Sequence, residues 1–135
     1  MSKTQVIVGL GSCGIAAGAN KVYDKINALK NADNMEFELK KTSCVGMCYR
    51  EPLVEVIDES GSYLYGNVDD KLAVDIINEH VLNHNPVKDK VVKTDLFETV
   101  DDTFFKGQVK IALRNCGEIN PEYIEEYEAR NGYKA

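Results

Sequence analysis

"VIVGLGSCGIAAGAN", residues 6–20, decides the fold. A β-branched apolar run enters a glycine turn, and a run of small residues leaves it. Residues 4–10 read as a buried strand. Residues 14–31 read as a helix, with Ile15, Ala19, Val22, Ile26 and Leu29 recurring on one inward face. Gly9, Gly11 and Gly14 spell G-x-G-x-x-G, the pattern of a dinucleotide-binding turn, but Cys13 sits inside it.

Further along, "MEFELKKT" at 35–42 alternates Met35, Phe37 and Leu39 with charges, as a half-buried strand does. "LVEVI" at 53–57 and "YLYGNV" at 63–68 flank "DESGS", which predicts a hairpin. Asp69 or Asp70 is placed to cap a helix over 71–83, with Leu72, Ile76, Ile77 and Val81 inward. A strand–helix–strand crossover, then a hairpin and a closing helix, is the thioredoxin-like α/β plan. Residues 1–85 make that domain. Residues 86–112 carry Pro86, many charges and short apolar pieces, and read as an extended connector lying across it. A short final helix follows, with Asn120 as N-cap, Pro121 at its first position and Gly132 as C-cap.

The bulk numbers agree with one soluble globule. The 135 residues are 44% hydrophobic and 28% charged. Sixteen Lys and Arg against 22 Asp and Glu leave a net charge of −6, which argues against nucleic acid or an anionic membrane as partner. No run approaches the ~18 apolar residues of a membrane span. The opening "MSKTQVIVGLG" lacks the apolar core of a secretory signal, so a cytoplasmic setting is expected. Thiols stay reduced there, and four cysteines then point to metal or redox chemistry rather than a disulfide frame.

As a nucleotide site the glycine turn has the right neighbours but lacks a partner. The ribose-binding acid belongs at the end of the second strand, about 20 residues on. That strand ends "LKKTSC". The glycines also suit a sharp strand-to-helix turn whatever it binds.

Cys44 and Cys48 form "CVGMC", a C-x3-C loop after the second strand. Adjacent parallel strands end side by side, so the Cys13 loop and the Cys44/Cys48 loop are expected at one end of the sheet. Three converging thiols suit an iron–sulfur cluster, held by thiolates and tuned by nearby N–H groups. Gly11, Gly14 and Gly46 are the candidate backbone donors, and Val45 and Met47 are the residues to limit water. Zinc normally takes a second matched ligand pair, and a thioredoxin-type dithiol takes C-x2-C. Buried inert thiols are the plain alternative.

"VGLGSCGIAAGANKVYDKI", "TSCVGMCYREPLVEV" and "YGNV" together resemble the thioredoxin-like [2Fe–2S] ferredoxin domain. That domain occurs alone, as a small subunit, and at the front of the flavin-binding subunit of bacterial NADH dehydrogenases and NAD-dependent hydrogenases. "IALRNCGEINPEYIEEYEARNGYKA" is similar to the segment that enters the flavin domain in the latter family, within residues 86–135. The resemblance implies a [2Fe–2S] cluster on Cys13, Cys44 and Cys48. The family has a further cysteine five positions before the Cys13 equivalent, where this sequence has Val8. Cys116 is the remaining thiol to consider as a fourth ligand, with Ser12 or Ser43 as oxygen donors. The resemblance further implies that FMN, NADH and other clusters belong to partner domains or subunits.

His80 and His84, four apart at a helix end, have metal-ligand spacing but no third partner, and a histidine in a last helical turn is favoured by the helix dipole. Tyr49, Arg50 and Glu51 border the C-x3-C loop. Tyr49 either shields a cluster or packs, and Arg50 and Glu51 are expected at the rim of a docking face. The reading is an electron-transfer domain relaying one electron between a flavin enzyme and an acceptor. Its rivals are a cluster-less assembly module of such a complex and a dinucleotide-binding fragment using Gly9, Gly11 and Gly14.

Overall fold

The computed structural model describes residues 3–44, 47–94 and 114–134, together with 96, 99, 109, 111 and 112. Five strands form one sheet in the order β2-β1-β3-β4-β5. β1 (Gln5–Gly9) runs parallel to β2 (Glu38–Thr42), in register from Gln5 against Glu38 to Gly9 against Thr42. On its other side β1 pairs antiparallel with β3 (Val54–Ile57), which continues through the 58–61 turn into β4 (Ser62–Tyr65). The thioredoxin-like α/β plan expected from the element order is therefore present.

Its details differ from the sequence reading in four places. The single helix expected over 14–31 is two helices, α1 (Ser12–Ala16) and α2 (Ala19–Ala32). Gly18 separates them at φ +99°, a left-handed conformation that a side chain would strain. Ala19, Val22 and Ile26 face the core as expected, but Ile15 belongs to α1 and is 48% exposed. The second strand is shorter than 35–42, although Phe37 just ahead of it is buried.

The third difference lies at the start of the connector. Its first apolar piece is a strand, β5 (Val91–Thr94), antiparallel to β4 at the sheet edge. Most of the rest of 86–112 lies outside the described residues. Fourth, the last helix, α4 (Ile124–Ala129), begins after Tyr123, not at Pro121. Asn120 instead closes the preceding turn: its Oδ1 accepts the Glu122 N–H (3.0 Å), and its N–H donates to Glu126 Oε2 (2.7 Å). Asn131 (φ +66°) takes the left-handed position that had been expected of Gly132.

One face of the sheet carries the core. Val6 and Val8 of β1, Val54 and Val56 of β3, and Tyr63 and Tyr65 of β4 pack against α2 and α3. The strand alternation and the helix spacing each present their apolar side once, and the two sides meet. α3 (Asp70–Asp75) starts where Asp69 Oδ1 accepts the Leu72 N–H at 2.7 Å and widens into a π-helical turn, Ile76–Leu82.

That turn carries His80 into the core, 1% exposed. The Tyr65 hydroxyl accepts the Val87 N–H (3.2 Å), leaving its own proton for His80 Nδ1 at 2.7 Å. His80 Nε2–H then donates to Asp58 Oδ2 at 2.8 Å. Both ring nitrogens are thus occupied. His84 lies beyond the helix in a left-handed conformation (φ +53°), so the two histidines do not form a metal pair.

Burial holds the His80 pKa below its ordinary value, against the pull of Asp58. Burial alone would raise Asp58, but hydrogen bonds from Ser60 and His80 bring it below the usual carboxylate value. A depressed histidine stabilises the fold fully above its unfolded pKa and loses that contribution as pH falls. Thermal melts should therefore show a falling midpoint on acidification below about pH 6.5. His80→Phe, less stable throughout, should lose less over pH 7 to 5, because its core no longer resists a proton. A wild-type midpoint that is flat or rises across that interval would contradict this assignment.

Candidate functional site

The parallel pairing of β1 and β2 sends both chains out of the sheet at one end. The Leu10 N–H extends the pairing to Thr42 O at 2.8 Å. Beyond it, Gly11 lies against Cys44: a Cβ on Gly11 would come 2.9 Å from the Cys44 amide nitrogen and 3.0 Å from its Cβ. Only a residue without a side chain lets the two loops approach this closely.

Cys13 stands in the first turn of α1, exposed, and Cys48 opens a 3-10 turn, Cys48–Arg50. Cys44 Sγ and Cys48 Sγ are 3.7 Å apart. The Cys13 thiol hydrogen-bonds to Cys48 and pushes the Cys48 pKa up, while the Cys44 hydrogen bond pulls it down. The structure thus brings Cys13, Cys44 and Cys48 to one corner. None of the four cysteines is in a disulfide. Among the described residues, no three His, Cys, Asp or Glu side chains are arranged to chelate a single metal ion.

The other sequence candidates fall elsewhere or into supporting places. Val8 is fully buried in the core and offers no donor. Cys116 lines a cavity of about 520 Å³ on the sheet face away from the helices, beside Ile7, Leu64 and Met47. Its segment is tied to the end of β2: the Thr42 hydroxyl donates to Ile119 O (3.2 Å), and Gly117 N–H donates to Ser43 Oγ (3.5 Å). The Ser43 oxygen is therefore engaged, and Ser12 is exposed. Met47 is fully buried with Leu53 and Val92, closing the underside of the cysteine loop. Gly46 and Val45 lie outside the described residues.

Tyr49 is 54% exposed, with the Arg50 guanidinium 5.7 Å from its ring centre. Glu51 corrects the sequence reading. It is not on a rim but buried, 7% exposed, beneath the β1–α1 turn. Its Oε2 accepts the Leu53 N–H at 3.1 Å, and its Oε1 has no partner. Burial raises its pKa, with the Leu53 N–H opposing. Nothing in the sequence flags this carboxylate, since "REP" reads as an ordinary polar turn.

Glu51 also weighs against a nucleotide in the glycine turn. A Cβ on Gly14 would lie 2.5 Å from Gly9 O and 3.0 Å from Glu51 Oε2. Gly11 and Gly14 are thus occupied with close packing, one against the cysteine loop and one above a carboxylate. An acid behind the turn repels phosphate, and α1 has only five residues.

No family model matches the chain. It is 31% identical over 90 residues to "NADP-reducing hydrogenase subunit HndB" of Solidesulfovibrio fructosivorans, covering 64% of this chain and 70% of that one. Among solved structures it resembles the thioredoxin-like [2Fe–2S] ferredoxin of Aquifex aeolicus, with a TM-score of 0.62 at 19% identity, over 70% of this chain and 94% of that one. A Cys→Ser variant of the same ferredoxin matches with a TM-score of 0.61, over 67% and 98%. By its kinship the chain belongs to the family of the NADP-reducing hydrogenase subunit HndB, and it has the fold of the thioredoxin-like [2Fe–2S] ferredoxins.

Proposed function

We propose that this chain is a one-electron carrier that holds a [2Fe–2S] cluster on Cys13, Cys44 and Cys48. The observation that carries the reading is the gathering of three thiols from two loops at one exposed corner. Bound there, the cluster supplies reversible one-electron transfer. The chain's own residues supply the setting. Gly11 keeps the two cysteine loops in contact, and Met47 excludes water from below. The N–H groups of Gly11, Gly14 and Gly46 are the candidate donors to cluster sulfur. Cys116, whose segment is tied to Thr42 and Ser43, is the remaining thiol, and the cluster is expected to hold without it.

Its partners are a flavin- and NADH-binding domain or subunit and other iron–sulfur subunits of a hydrogenase or NADH dehydrogenase complex. Support comes from the exposed apolar residues beside the thiols. Ile15 lies two positions from Cys13 and is 48% exposed, and Tyr49 adjoins Cys48. Apolar groups ringing a redox corner suit a docking face. In this reading residues 1–85 together with β5 are the carrier, and the rest of 86–135 leads to a flavin-domain-like segment. A cytoplasmic location accompanies it; among the described residues no helix is long and apolar enough to cross a membrane.

A second reading, the cluster-less assembly module, is favoured by Val8. That residue packs in the core where the family's further cysteine would stand. Anaerobic reconstitution with iron and sulfide decides between the two. Wild type should become coloured, retain about two irons and two sulfides per chain, and give a paramagnetic signal on reduction. Cys44→Ser and Cys48→Ser should each abolish iron retention, while Cys116→Ser retains it. A colourless, iron-free wild type would leave the assembly module standing. Iron lost from Cys116→Ser would make that thiol a ligand.

Gly11→Ala provides a separate check. Its new methyl would meet the Cys44 backbone, so one loop must move. The variant should fold by circular dichroism yet retain several-fold less iron than wild type after desalting. Undiminished iron would show that loop contact is not needed for binding.

A further inference from the structure

We propose that Cys44 and Cys48 also form a reversible dithiol–disulfide pair, closing to an intraloop disulfide whenever no cluster occupies them. This goes beyond electron relay: it assigns a second, two-electron chemistry to the same loop.

Distance carries the proposal. The two sulfurs stand 3.7 Å apart, already at van der Waals contact. Bond formation shortens that separation to about 2 Å, a change that small side-chain rotations supply. The two cysteines are four positions apart, so closing the ring restricts few residues. Placement carries it as well. Cys48 is exposed and Cys44 half-buried, and the corner opens to solvent, so a small oxidant can reach them. Cys13 belongs to α1, after the other strand, whereas Cys44 and Cys48 are four positions apart in the chain. The short ring therefore takes precedence over a bond between loops.

A low-molecular-weight disulfide of the glutathione type is the oxidant. One thiol of the pair attacks a sulfur of that disulfide, forming a mixed disulfide and expelling one small thiol. The second thiol attacks the protein-side sulfur, forming the Cys44–Cys48 bond and expelling the other small thiol. The protein gives up two protons and two electrons, and the small disulfide takes up both to become two thiols.

The test uses the full chain, freed of iron by a chelator and of reductant by desalting, then incubated with oxidised glutathione. Intact mass should fall by two hydrogen atoms, with no lasting glutathione adduct. Peptide mapping should join Cys44 to Cys48. Cys44→Ser should instead keep one glutathione on Cys48, and Cys13→Ser should close as wild type does. A stable adduct on Cys44 or Cys48 of wild type, or a closed bond from either to Cys13 or Cys116, would overturn the assignment. A second measurement separates this from cluster binding. The closed form should take up no iron and sulfide until a dithiol reductant reopens it, and iron retained by the closed form before any reduction would also overturn the pairing. A chain that closes but never binds iron supports the disulfide and sinks the electron-carrier reading; a chain that binds iron but never closes does the reverse.

Discussion

Parallel pairing of β1 with β2 is the constraint on which the thiol corner depends. An antiparallel arrangement would send the Cys13 and Cys44 loops to opposite ends of the sheet. The register matters as much as the direction. Gly9 opposite Thr42 places Gly11 beside Cys44, and a one-residue slip would turn Val6 and Val8 from the core toward the open face. The core therefore enforces the register, and the register places the chemistry. Gly11 is the last link, because the approach of the two backbones leaves no room for a methyl group.

Two acids, Asp58 half-buried and Glu51 buried, show how differently the two ends of the sheet are built. At the β3–β4 turn, Asp58, His80 and Tyr65 form a closed hydrogen-bonded chain, with Ser60 and Val87 completing it. Each polar group there has a partner, so its burial is compensated. At the cysteine end, Glu51 is buried with one oxygen unpartnered. An uncompensated carboxyl costs on the order of 1–3 kcal/mol. The fold tolerates that cost beneath the β1–α1 turn, where Gly9 and Gly14 crowd it, and nowhere else among the described residues.

Much of this was legible because it rests on periodicity. The alternation of β1, β3 and β4 and the 3.6-residue spacing of Ala19, Val22 and Ile26 are local signals, and they fixed the βαβ crossover, the hairpin and the closing helix. The convergence of Cys13 with Cys44 and Cys48 followed from topology alone. The errors occurred where local signals were weak or long-range contacts decided. Gly18 lay inside a helical pattern, and only its positive φ reveals the break after α1. β5 has four residues next to a lysine-rich turn, so its strand character comes from pairing with β4. His80 read as a dipole-favoured residue of a last helical turn, and the widened turn that buries it has no sequence signature. Glu51 was misplaced for a similar reason, since its burial depends on a turn more than thirty positions earlier.

The two chemistries assigned to the cysteine loop answer one physical difficulty. Three thiols gathered at one corner cannot all ionise cheaply, since each thiolate raises the cost of the next. The Cys13 hydrogen bond pushes the Cys48 pKa up, while the Cys44 hydrogen bond opposes it. Binding iron relieves the crowding by replacing protons with cationic charge shared among the sulfurs. Bonding Cys44 to Cys48 relieves it by removing two of the three titrating groups. A corner that would concentrate thiolates for the proposed cluster is therefore also placed for disulfide formation when no cluster occupies it. The 3.7 Å separation is short enough for the second outcome and loose enough for the first.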